Sequence, residues 1–190
     1  MYGKWMLVTI IVFIANIVLY TVAARFFHDR VASRRAGRFY GAVVLCGYIL
    51  FVLWYTVLNR KSFENLSPLL VPFSSYWLVF YNADGSVAFS DYYFSQVVLN
   101  WLLLAPLGCL LPLVWPSVFV DCGSRHGLVR CVLVGFCLSL STELAQLLLN
   151  RGFFEIDDII NNTLGCAAGY MLFRVMLAKR FEFSARHMVH

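Results

Sequence analysis

Charge is what this sequence has least of. Only 13% of its 190 residues are Asp, Glu, Lys or Arg, about half the share found in a soluble globular domain. With 61% hydrophobic residues and a mean hydropathy of +0.75, this scarcity excludes a water-soluble fold and leaves an integral membrane protein. Cysteine in metal-binding order is also lacking. The six cysteines, 46, 109, 122, 131, 137 and 166, show no Cys-x-x-Cys or Cys/His spacing, so neither a zinc site nor a disulfide framework is indicated. Five of them lie in apolar segments, where cysteine acts as a small hydrophobe. There is no internal repeat, low-complexity tract or recognisable phosphotransfer motif. The net charge of +5 does not imply nucleic acid as a partner, because the basic residues lie between apolar runs, where a membrane protein keeps its topology signals.

What is present is a series of long apolar runs. Five have the roughly 20 residues that a bilayer crossing requires: Trp5–Ala24, Tyr40–Leu58, Val97–Trp115, Leu128–Leu149 and Ile159–Ala178. The first is too long, and too strongly flanked by arginine, for a cleaved signal peptide, and reads as a retained anchor. The expected fold is therefore an all-α integral membrane bundle of about five transmembrane helices, with an outer interfacial or re-entrant segment at 62–95. Residues 1–39 form an anchor helix and basic cytoplasmic loop, 40–178 the main transmembrane domain, and 179–190 a cytoplasmic tail.

Arg25, Arg30, Arg34, Arg35, Arg38, Arg125, Arg130, Lys179, Arg180 and Arg186 fall on one side of these spans. Lys4, Arg60, Lys61 and Arg151 fall on the other. The positive-inside rule puts the first group in the cytoplasm, the N-terminus outside and the C-terminus inside. The apolar stretch Leu66–Tyr81 is short and broken by Pro68 and Pro72. A sixth crossing there would erase the asymmetry, so it reads as interfacial or re-entrant, with Phe73, Tyr76, Trp77, Phe80 and Tyr81 suited to the headgroup layer.

This topology crowds the membrane-embedded polar residues towards the outer surface. Glu143, Gln146 and Asn150 follow i, i+3, i+7, one stripe of a helix, and lie within roughly 5–10 Å of that surface at 1.5 Å per residue. Asn100 enters from the same side. Asp157, Asp158, Asn161 and Asn162 stand at the mouth of the last span, with Arg60 and Arg151 nearby. A carboxylate at the centre of a membrane helix costs about 2.5–3.5 kcal/mol on insertion scales, which makes Glu143 the hardest residue to regard as incidental. Plain structural roles stand beside the functional ones. The amides also suit interhelical hydrogen bonding, the aspartates suit helix caps, and a Glu143–Arg151 or Glu143–Arg60 pair would simply lock the bundle. Gly165 and Gly169 form a small-xxx-small face for packing inside the monomer or for an oligomer. Pro106, Gly108 and Pro112 bend a helix or shape a cavity.

The stretch Ser139-Leu-Ser-Thr-Glu143-Leu-Ala-Gln146, followed by Arg151, Asp157-Asp158-Ile-Ile-Asn-Asn162-Thr-Leu-Gly165 and Gly169-Tyr170, resembles the signature of VanZ-like membrane proteins. So does Asn100-Trp-Leu-Leu-Leu-Ala-Pro106-Leu-Gly108-Cys-Leu-Leu-Pro112, and more weakly Arg60 followed by Val71-Pro72-Phe73. The sequence departs from the pattern at Leu69, where the family carries Asn, and between Phe73 and Asp91. The resemblance implies a bacterial cell membrane protein of a family associated with resistance to teicoplanin-type glycopeptide antibiotics, with no established reaction. The positions that match are Arg60, Asn100, Pro106, Gly108, Glu143, Gln146, Arg151, Asp157, Asp158, Asn162 and Gly165.

Three functions fit the polar cluster. The first is a non-enzymatic factor that binds or shields a membrane lipid, a lipid-linked cell-wall precursor or the antibiotic itself at the outer leaflet. Arg60, Asn100, Glu143, Gln146, Arg151, Asp158 and Asn162 would form the ligand site, with the two arginines on a phosphate and no cofactor. The second is an enzyme acting on phospholipid or polyprenyl-phosphate, with Glu143, Asp157 and Asp158 as catalytic candidates and Asp157 with Asp158 holding a magnesium ion. The third, a structural or transport-related protein with Glu143 as a relay, ranks last, because the inner halves of the spans offer almost no further ionisable groups.

Overall fold

A computed structural model of the protein describes residues 35–60, 68–82, 84–120 and 122–175; the predicted first span and the C-terminal tail lie outside them. Among the described residues all regular structure is helical. Helix α1 spans Arg35–Leu53 and runs into a π-helical turn at Trp54–Leu58. Then come α2 (Ser74–Phe80), α3 (Asp91–Val114), α4 (Pro116–Phe119), α5 (Ser124–Leu148) and α6 (Ile156–Phe173). Three helices, Phe39–Leu58, Asp91–Val114 and Ser124–Leu148, are long and apolar enough to cross a membrane. They correspond to predicted spans two, three and four. Predicted span five is α6, whose 18 residues rise about 27 Å but carry acids in the first turn. The segment with Pro68 and Pro72 forms only the seven-residue α2, a rise of about 10 Å, far short of a bilayer core of about 30 Å.

A hydrophobic effect inside a bilayer does little to bring helices together, so close backbone approach has to do it. α3 and α6 provide that approach. A Cβ on Gly165 would lie 2.0 Å from the Trp101 carbonyl oxygen, one on Gly169 would lie 1.9 Å from that of Ala105, and one on Gly108 would lie 2.0 Å from that of Cys166. The small-xxx-small face is thus used within the chain, where it seats α6 on α3.

Both prolines of α3 sit inside a continuous helix and are buried. Pro112 lacks the N–H that would bond the Gly108 carbonyl, and the Cys131 thiol approaches that oxygen at 3.9 Å. Cys109 donates to the Gly169 carbonyl at 3.0 Å, and the Cys131 and Cys166 sulfurs lie 3.6 Å apart in the core. The buried cysteines are therefore small packing groups with weak donors. Tyr48 reaches across from α1 to the Leu103 carbonyl, and Tyr170 closes the other end of the bundle on the Phe119 carbonyl at 2.8 Å.

Overpacking a tight contact costs about 1–3 kcal/mol. Gly108→Ala, Gly165→Ala and Gly169→Ala should each lower the melting temperature of the purified protein. Gly47→Ala, with nothing within 4 Å of its added Cβ, should leave it unchanged or raise it. Equal effects at all four positions would argue against the α3–α6 seam.

Candidate functional site

The α5–α6 hairpin turns through residues 149–155, so the end of α5 and the start of α6 lie at the same end of the bundle. The seam with α3 brings Asn100 to that end, and the π turn of α1 delivers Arg60 to it. Arg60, Asn100, Glu143, Gln146, Arg151, Asp158 and Asn162 therefore lie towards one end of the bundle, and each makes different contacts.

Asp157 and Asp158 part company, because successive residues on a helix diverge by about 100°. Asp157 is 2% exposed, and its carboxylate accepts the N–H of Phe73 at 2.5 Å, the N–H of Ser75 at 2.7 Å and the Ser74 hydroxyl at 3.2 Å. It caps α2 from a different helix, satisfying donors that the first turn of α2 leaves free. Phe73 itself sits in the left-handed region at φ 64°, a conformation costing about 1–3 kcal/mol that persists only where its surroundings hold it. A second strap runs beside this cap. The Leu69 N–H donates to the Phe154 carbonyl at 2.8 Å, and the Ile156 N–H to the Leu69 carbonyl at 3.2 Å. Asp157 is thus a fastener for the outer segment, its carboxylate accepting three hydrogen bonds from residues 73–75. Among the described residues, no group of three His, Cys, Asp or Glu side chains is close enough to hold a metal ion.

Asp158 turns the other way and accepts a hydrogen bond from the Asn100 amide. Glu143, also 2% exposed, accepts the Glu155 N–H at 3.0 Å. Gln146 bridges Arg60 and α1, taking the Arg60 Nη1 at 3.2 Å and donating to the Thr56 carbonyl at 3.1 Å. That carbonyl belongs to the π turn, whose shifted pairing leaves backbone acceptors for partners outside the helix. Arg151 donates to the neighbouring Leu58 carbonyl at 2.6 Å, so it finishes the C-terminal end of α1 and is less free for a phosphate than the sequence suggested. The hydrogen bonds of Arg60 and Arg151 go to Gln146 and to the Leu58 carbonyl, and that of Glu143 to the Glu155 N–H, so Arg60 acts on Glu143 through space.

One turn deeper, Asn162 is 4% exposed and donates to the Ser139 hydroxyl at 3.0 Å. Its Oδ1 is buried without a partner. Asn161 takes the outward role of an interhelical amide, accepting from Tyr76 and from the Trp101 indole N–H.

Sequence reasoning missed Glu155. Burial, reinforced by the Asp158 carboxylate and opposed by Arg60, pushes its carboxyl up to about 7. Its only signal was its place two residues before Asp157, where a loop glutamate ordinarily reads as solvated surface. Tyr76 and Ser139 were also placed by the fold alone.

The helices and their polar end define an all-α membrane protein with an acid-rich, incompletely neutralised cluster at one end of the bundle. The chain belongs to the VanZ/LLP1 family, whose model matches residues 39–177. No curated protein and no solved structure matches it significantly. The family match covers α1 to α6 and so includes every residue of the cluster.

Two outcomes follow. The Glu155 carboxyl has an ordinary value of 4.5 and rises to about 7 in the fold, so between these values the folded state holds the extra proton. Stability therefore falls as pH rises through this window. Melting curves of Glu155→Gln should show a shallower decline than wild type over the same range, and an unchanged slope would show that Glu155 titrates normally. Asp157→Ala removes bonds to a charged acceptor worth about 1.5–3 kcal/mol each. Amide exchange at 73–80 should accelerate strongly while α5 stays protected.

Proposed function

We propose that this protein binds the headgroup of a membrane lipid or lipid-linked cell-wall precursor at the polar end of its bundle, facing the outer leaflet, and that it lowers susceptibility to teicoplanin-type glycopeptide antibiotics by occupying or shielding that component. The observation that carries this reading is the gathering of three carboxyl groups, Glu143, Glu155 and Asp158, around the single guanidinium of Arg60. Ionisable groups inside a membrane protein are costly and mark function by default. Family membership supports the link to resistance, and the skew of Lys and Arg along the sequence supports the outer placement.

Arg60 is the natural phosphate contact. It is exposed, held by one nitrogen on Gln146, and its guanidinium has further donors to offer. An open apolar groove of about 560 Å³ lies between α1, α3 and α5, lined by Leu45, Ile49, Leu107, Leu111, Trp115 and Phe119, and so extends from mid-bundle towards the end opposite the polar cluster. Its size lies within the roughly 300–1,000 Å³ of ligand pockets, and its walls suit an acyl or isoprenoid chain. The near-neutral Glu155 favours a second reading, an enzyme using that carboxyl as general acid or base on a lipid phosphate.

Expression in a sensitive Gram-positive host should raise teicoplanin tolerance several-fold and vancomycin tolerance less. Glu143→Gln and Asp158→Asn should each abolish the gain at unchanged protein level, and full protection by both variants would sink the site. Turnover of lipid by the purified protein, lost in Glu155→Gln, would replace the binding reading with the enzymatic one.

A further inference from the structure

The polar end of the bundle is rich in acceptors and poor in donors. Glu143 receives one N–H and Asp158 one amide N–H. No donor reaches the Glu155 carboxylate among the described residues. The Asn162 Oδ1 is buried with no donor at all. Asn162 lies one turn after Asp158 on α6, and its partner Ser139 lies one turn before Glu143 on α5. Spacing of i, i+4 puts Asn162 on the same face of α6 as Asp158, one turn deeper in the bundle. Arg60 stands at the rim, where Gly152 closes over it: a Cβ there would come within 2.8 Å of its Nη1 and 2.9 Å of the Gln146 Oε1.

A buried acceptor without a donor, beside carboxyl groups short of partners, suits a cation that carries hydrogens. Among the described residues no three His, Cys, Asp or Glu side chains form a metal-holding group, and a hydrated magnesium ion, which takes one or two carboxylates, is separated from an ammonium by the test below. A primary ammonium has three N–H groups in different directions and takes carboxylate partners at about 2.7–2.9 Å. It would supply the orphaned Asn162 oxygen and the carboxylates above it together. With Arg60 beside it for an anion, the complement is a headgroup bearing both charges.

We propose that the cluster of Glu143, Asp158 and Asn162 seats the primary ammonium of a phosphoethanolamine-type lipid headgroup, with its phosphate on Arg60. This rests on the lipid-binding reading and narrows it to one headgroup chemistry. Glu155 adds charge at the entrance, and Asn100 fixes the Asp158 carboxylate.

The test uses the full-length protein in phosphatidylglycerol nanodiscs, with lipid retention read by native mass spectrometry. Phosphatidylethanolamine should be retained about ten-fold over phosphatidylcholine, with the mono- and dimethylated lipids falling in between as N–H donors are lost. Asp158→Asn and Glu143→Gln should reduce that preference, while Gln96→Ala, outside the cluster, keeps it. Equal retention across the methylation series in the wild-type protein overturns the ammonium seat while leaving lipid binding intact. Absence of any retained lipid overturns both. Soluble phosphoethanolamine should displace the lipid only at far higher concentration; equal potency would make the ligand a soluble amine and overturn the lipid source. Stabilisation by magnesium chloride that matches phosphatidylethanolamine would assign the acceptors to a hydrated metal ion and overturn the proposal.

Discussion

At the seam between α3 and α6, backbone meets backbone. The Trp101 and Ala105 carbonyls occupy the space that side chains at 165 and 169 would need, and this fixes the axial register of the two helices. Everything polar follows from that register. With Trp101 opposite Gly165, Asn100 comes level with Asp158, and the Trp101 indole comes level with Asn161. A slip of one turn would separate both pairs and strand their polar atoms in an apolar bundle, where an unmade hydrogen bond is expensive. Shape complementarity and hydrogen-bond satisfaction therefore select the same register.

The cluster at the end of this seam is charged without being balanced. Helix ends in a soluble protein would offer such carboxylates water. Here α1, α3, α5 and α6 surround them with apolar residues, and the nearest guanidinium is already bonded to Gln146. Protons, a cation or a ligand must make up the difference.

Much of this was legible in the sequence. Long apolar runs located α1, α3 and α5, and the i, i+3 spacing of Glu143 and Gln146 put them on one face. Small residues at 165 and 169 announced a packing seam, although only the fold identified Trp101 and Ala105 as its other half. What stayed hidden was the choice of partner. Asp157 and Asp158 are chemically identical neighbours, and a rotation of about 100° sends one to α2 and the other to Asn100. Arg60 and Arg151 looked equivalent, yet only the second terminates α1 through the Leu58 carbonyl. Pairings across some 80 residues, such as Asp157 with Phe73, leave no local pattern to read.

That last pairing bears on the order of assembly. A seven-residue helix has no stability of its own in isolation, since nucleation alone outweighs its few internal bonds. The carboxylate that completes its first turn emerges from the ribosome 84 residues after Phe73, on the final hairpin of the domain. Residues 73–80 are made early but acquire their cap only once α6 has been made and docks beside them.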